Sequence, residues 1–262
     1  MTIALKLNAP REAYREFYGR NIEQMKKLIA DRRVPMNVAQ LMQRRLDVIN
    51  SDDEVKVSYM DNYFDTGDAI VYHPDGRVKI VLNSQTLMDM TPESKLSNGA
   101  LILTDNVYKL LQGEEFKKGK LEKVNNGPSL ADVKAHPVWK ALARNQFLLN
   151  DYAADYIFAE GKQRFGYDKV MGFYLSDVYR ETPELRAWCI CGLEDRSYVI
   201  GGNLGNDNGQ FAWFLAPEAP KKISKELSII KPDLEQVLEL GKIYVPSVVQ
   251  EEFKKEIGKL YQ

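Results

Sequence analysis

Histidine and cysteine are both scarce, with two of each in 262 residues. Two cysteines cannot form the disulfide framework of a small secreted scaffold, so a reducing compartment is the better fit. Cys189 and Cys191 lie two apart in a β-rich run, which puts both on one face of a strand. A zinc site would need two further ligands. The histidines, His73 and His136, sit beside prolines in separate segments. Buried structural thiols are therefore the expected role, and a cysteine hydrolase is left without a diagnostic histidine base. Charge of one sign is also missing: 36 Lys and Arg stand against 37 Asp and Glu. No global field draws the chain to nucleic acid or an anionic membrane. No apolar run approaches the roughly 18 residues of a spanning helix, and the opening MTIALKLNAPREAYREF is too mixed for a signal peptide. The expected location is cytoplasmic. Internal repeats and the G-x-S-x-G and H-E-x-x-H motifs are absent. No cofactor is expected.

What is present is ordinary globular material, 44% hydrophobic and 28% charged, which is enough for a packed core. Residues 9–49 read as helical, with Asn8 as a cap, Pro35 as an interruption and a second helix from about Asn37 to Ile49. VKVSYM, 55–60, suits a strand. Residues 68–82 carry the clearest hairpin pattern, two β-rich runs around His73-Pro74-Asp75-Gly76. Ser129 and Asp132 mark a helix start. Pro137 separates that helix from a longer one, striped by Val138, Leu142, Leu149, Tyr152, Ala153, Tyr156 and Ile157. Further β-rich runs follow at 169–175, 185–193, 196–200 and 210–216, and the tail returns to helix. The expected class is α+β: N-terminal helices, two largely antiparallel β regions separated by a long central helix, and C-terminal helices. Residues 1–262 are read as one unit. The alternative is two lobes, 1–113 and 129–262, joined by a charged, exposed connection over 114–128.

Asp65-Thr66-Gly67 is the triplet that aspartic proteases place at their active site, where two such loops share a proton. Tyr63 and Phe64 before it, and Val199-Ile200-Gly201 after it, resemble that pattern. Against this, the triplet occurs once, Asp68 follows where the family favours Ala or Ser, and the interval to Gly201 is long. The plain reading is a loop entering the hairpin. Asp61, Asp65 and Asp68 together would suit a carboxylate- or metal-assisted hydrolase. GGNLGNDNG, 201–209, lacks the Gly-Lys-Ser/Thr ending of a phosphate loop and leads into a strand, so it reads as a long hairpin loop. Asn206, Asp207 and Asn208 there could ligate a cation.

Residues 1–50 hold ten Lys or Arg and five Asp or Glu. A helix carrying Asn37, Gln40, Gln43, Arg44 and Arg45, with the 68–82 hairpin as a wing, would make a nucleic-acid reader. That partner class is the third reading. The first is a non-catalytic binding or interaction protein with a protein or small-molecule partner, and the second is the hydrolase.

Overall fold

Strand β2, Phe64–Tyr72, is buried at all nine positions, as a strand covered on both faces must be. The computed structural model describes residues 14–50, 53–121, 128–176, 181–206 and 213–217, together with Lys254. Apart from Lys254 these belong to the first of two compact units, Met1–Ala219; the second is Pro220–Gln262. The C-terminal helices predicted within 232–261 lie, Lys254 apart, outside the described residues.

β2 pairs antiparallel with β3, Arg77–Val81, from Ala69↔Val81 to Tyr72↔Val78. The hairpin predicted over 68–82 is present, and its turn places Gly76 at φ +86, where a side chain would be strained. The opposite edge of β2 pairs antiparallel with β8, Glu184–Ile190. One sheet therefore contains both predicted β regions. β2 and β8 come from opposite sides of the connection predicted over 114–128. That connection itself begins as strand β6, Glu114–Lys117, on the edge of β3.

The sheet forks at two places. β2 meets β10, Trp213–Pro217, in parallel at Asp65↔Phe214 before it meets β3 further along the same edge. β1, Tyr14–Tyr18, closes that side against β10. The far edge of β8 is likewise shared. β9, Val199–Gly201, takes Trp188 to Ile190, and β5, Ala100–Ile102, takes Glu184 and Leu185. β4, Leu96–Ser97, extends β5, and β7, Phe173–Tyr174, runs parallel to β9. β9 and β10 pair with different neighbours, so they do not form the predicted hairpin with each other.

Helices cover both faces. α1, Asn21–Ala30, α4, Gln85–Met88, and α5, Asp105–Leu110, pack Ile22, Met25, Leu28, Leu87 and Tyr108 on Ala69, Val71, Leu185 and Ala187. On the other face α2, Val38–Asp47, α3, Asp53–Asp61, and the helices from 130 onward pack against Ile70, Tyr72, Trp188 and Ile190. Alternate residues of one strand feed alternate cores.

Three local readings change. Residues 14–18 form strand β1 rather than helix, because β10 is there to pair with them. VKVSYM lies in helix α3, which brings Tyr59 and Met60 into the core. The long central helix is segmented into α6, Leu130–Ala135, α7, Pro137–Ala143, α8, Gln146–Asp151, and α9, Ala159–Phe165. Arg144, left-handed at φ +58, ends α7, and Asn145 Oδ1 caps α8 by accepting from the Phe147 and Leu148 amides. A π-helical turn, Tyr152–Phe158, joins α8 to α9. The predicted Ser129–Asp132 capping box is formed. Val138, Leu142, Leu149, Tyr152, Ala153 and Ile157 of the predicted stripe are fully buried. Among the described residues no helix is long and apolar enough to cross a membrane.

Candidate functional site

The three predicted carboxylates go to three different environments. Asp61 ends α3 and forms a two-pronged ion pair with Arg164 of α9, at 2.9 and 3.0 Å. Asp65 and Asp68 both lie inside β2, so the Asp-Thr-Gly triplet is part of a strand and not a loop before it. Between the pairs Asp65↔Cys189 and Ala69↔Ala187, β2 takes four steps while β8 takes two. The triplet and Asp68 therefore make up a β-bulge with two extra residues.

This bulge explains the triplet. Gly67 sends its N–H to Met36 O (2.9 Å) and accepts Ser84 N–H (2.8 Å), both outside the sheet ladder. A Cβ at 67 would lie 3.0 Å from Pro35 Cγ and O, so glycine suits the close approach there. Asp68 accepts from four donors: Val38 N at the start of α2 (2.9 Å), Asn83 N (2.8 Å), and Arg144 Nη2 and Nη1 (2.6 and 3.1 Å). A carboxylate at a helix N-terminus with a bidentate guanidinium is a strong structural clasp. Asn83 Oδ1 ties Arg144 Nη2 and Asn37 Nδ2 into the same knot.

Asp65 is the reverse case. Asn21 Nδ2 of α1 donates to its Oδ2 at 2.7 Å, while Oδ1 is buried with no hydrogen-bond partner among the described residues. The neighbouring Cys189 thiol is only a weak donor. Burial raises the Asp65 carboxyl well above its ordinary value, against smaller opposing effects of Asn21 and Cys189. No residue larger than glycine fits at 202, since a Cβ there would run into Asp65 Oδ1. Cys189 and Cys191 are free buried thiols, as their spacing suggested.

No group of three or more His, Cys, Asp or Glu able to hold a metal occurs among the described residues. Asn206 closes a turn through its amide on Asn203 O; Asp207 and Asn208 lie outside the described residues. Of the base-reading set, Asn37 and Gln40 form the capping box of α2, and the exposed Gln43 bonds Asp47. Arg44 is 8% exposed and stands over the Tyr59 ring, and Arg45 is 0% exposed. Neither can reach a phosphate.

Arg45 leads to a site that the sequence reading missed. Its guanidinium is sunk in a cage of neutral acceptors: Tyr59 O, Asn62 O, Cys191 O, Tyr152 Oη and Ser197 Oγ, at 2.8–3.3 Å. Tyr152 begins the π-helical turn, an irregularity that recurs at functional sites. Cys191 and Ser197 frame the bend from β8 to β9. There Arg196 (φ +61) and Ser197 (φ +48) are left-handed, as is Met171 (φ +57) opposite them. Such non-glycine conformations cost about 1–3 kcal/mol each and persist where the surroundings impose them. Met171 N–H donates to Arg196 O at 2.7 Å, and Trp139 Nε1 donates to Met171 O at 2.9 Å.

Over this braced backbone lies a cavity of about 300 Å³. Among the described residues it is lined by Tyr167, Gly172, Tyr174, Glu194, Asp195, Arg196 and Tyr198. The three tyrosines are half-buried. Tyr174 and Tyr198 meet edge to face at 4.9 Å, and Arg196 lies over the Tyr167 ring at 4.9 Å. Tyr167 Oη donates to Glu194 O at 3.1 Å. Burial, with Cys191 next in effect, pushes the Tyr198 phenol up, and burial alone raises Asp195. Neither this cavity nor the apolar one of about 320 Å³ beside Ile80, Leu82 and Ala141 is lined by Asp61, Asp65 or Asp68. The signal available in the sequence was Tyr198 in GLEDRSYV, a polar turn between two β-rich runs. It was obscured by the abundance of tyrosine, 14 in all.

Comparison with known proteins adds the fold. No family model matches the chain, and no curated protein matches it by sequence. A solved structure described as "Accommodation of massive sequence variation in Nanoarchaeota by the C-type lectin fold" superposes with a TM-score of 0.58 at 14% identity. The match covers 81% of this chain and 100% of that one. At that identity the likeness carries the fold alone: a mixed α+β chain similar to the C-type lectin fold.

Proposed function

We propose that this is a non-catalytic binding protein of a reducing, cytoplasmic compartment, with its ligand site in the cleft of Tyr167, Tyr174 and Tyr198. The observation that carries the reading is a polar, tyrosine-walled cavity beside the left-handed Arg196 and Ser197, with the buried Arg45 donating to Ser197 Oγ. Concave sites with a few placed polar groups are the usual binding sites of folded domains, and half-buried tyrosines give rigid contact area at small entropic cost. The structural neighbour is described as a fold that accommodates massive sequence variation. A similar division suits this chain, since the buried clasps fix the backbone while Tyr174 and Tyr198 stand outside both cores and Tyr167 packs against the edge of one. Two buried free thiols support the compartment.

The test is binding of the immobilised protein to peptide and glycan arrays, beside a Tyr174→Ala/Tyr198→Ala variant with an unchanged circular dichroism spectrum. Hits present for the parent and lost in the variant are expected. Hits that survive both substitutions would move the site elsewhere. A hydrolase centred on Asp61, Asp65 and Asp68 has one supporting observation, the raised Asp65 carboxyl.

A further inference from the structure

We infer that the tyrosine cleft takes a cationic side chain, the guanidinium or ammonium of a partner peptide. The inference rests on the binding reading above and names the chemistry of its ligand. Among the described lining residues two carboxylates, Glu194 and Asp195, stand beside one cation, Arg196. That cation lies over the face of Tyr167 at 4.9 Å, so a guanidinium already fits a ring of this wall. The Tyr174–Tyr198 pair stands at an interplanar angle of 79°. Such a pair forms a corner with one ring face and one ring edge, and the negative face of a tyrosine attracts cations.

Asp195 supplies the second part of the argument. Its carboxyl is raised by burial, and no described residue sets a cation against it. An arriving cation would offset that partial desolvation, whereas an anionic ligand would meet two carboxylates and deepen it. A neutral ligand would use the rings and leave the carboxylates without a counter-charge.

The experiment measures fluorescence anisotropy with three labelled heptapeptides, Gly-Ser-Gly-X-Gly-Ser-Gly, in which X is arginine, citrulline or glutamate. Citrulline keeps the shape of arginine without its charge, with an acceptor oxygen in place of one donor nitrogen. The arginine peptide is expected to bind at least about tenfold more tightly than the citrulline peptide, as a partly desolvated cation–π contact assisted by carboxylates allows. The glutamate peptide should bind most weakly. Glu194→Gln/Asp195→Asn should bring arginine and citrulline to within about twofold, and 0.5 M salt should narrow the gap in the parent protein. Tyr174→Ala/Tyr198→Ala should remove binding of all three. Equal binding of arginine and citrulline that still depends on Tyr174 and Tyr198 would overturn the cation and leave the cleft standing. Binding indifferent to those tyrosines would overturn both, and failure of all three peptides to bind would overturn the cation.

Discussion

Asp65 and Asp68 lie in the same buried strand, at 1% and 0% exposure, and the fold treats them in opposite ways. Asp68 is surrounded by donors: two backbone amides and both terminal nitrogens of Arg144. Asp65 has one amide donor from Asn21 and a weak thiol beside it, with one oxygen unpartnered. A protein interior can thus accept a carboxyl by solvating it with fixed dipoles and a cation, or by holding its proton. The first solution fastens several chain segments together and the second only two. Asp68 joins β2, the start of α2, the segment after β3 and the end of α7 through one group. Asp65 joins β2 to α1 by a single hydrogen bond.

The contrast can be tested with substitutions of decreasing expected effect. Asp68→Ala leaves Arg144 without its carboxylate and α2 without its anchor. It should cost about 3–5 kcal/mol in urea unfolding. A double-mutant cycle with Arg144→Ala should return a coupling of about 1 kcal/mol or more; additive losses would break the claim that the two act as one clasp. Gly202→Ala comes next, at about 1–3 kcal/mol of overpacking, since the new methyl would collide with Asp65 Oδ1. In an Asp65→Ala background that cost should shrink, and an unchanged cost would show that the glycine is needed for another reason.

Asp65→Asn should have the smallest effect, within about 1 kcal/mol of the parent at neutral pH, because the hydrogen bond from Asn21 can be kept. Its signature is in the pH dependence. The folded Asp65 carboxyl is raised above its ordinary value of 3.8. Between those two values the folded chain keeps a proton that the unfolded chain has released. This group's contribution to stability therefore falls as pH rises through the window. The asparagine variant has no such proton, so its stability relative to the parent should climb with pH from about 4 upward. Parallel curves for the two proteins would mean that Asp65 is not held protonated.

Local signals were legible where the physics is local. The 68–82 hairpin, the Ser129–Asp132 cap, the break at Pro137 and the apolar stripe of the central helices each follow from neighbouring residues, and each is present. The errors fall where a distant partner decides. Residues 14–18 form a strand because β10 arrives beside them, and the two extra residues of the bulge show only against β8. Arg44 and Arg45 read as surface charge because helix periodicity cannot announce a cage built from Tyr59, Tyr152, Cys191 and Ser197. The cleft was invisible for a related reason. Its tyrosines come from three segments, brought together by β7, β9 and the bend between β8 and β9.

The bulge in β2 has a further consequence for how the gene can change length. Its excess is an even number, so Asp65 and Ala69 still point the same way and each core receives the side chains meant for it. Loss of one codon between 65 and 69 would turn the remainder of the strand over, sending Ile70 and Tyr72 toward α1 and Val71 toward α2. Loss of two would keep every later side chain on its own side, at the cost of the Gly67 contacts or the Asp68 clasp. Length variation in this strand should therefore be less damaging in steps of two than in steps of one. That is a selection rule readable from a library of in-frame deletions scored for soluble folded protein.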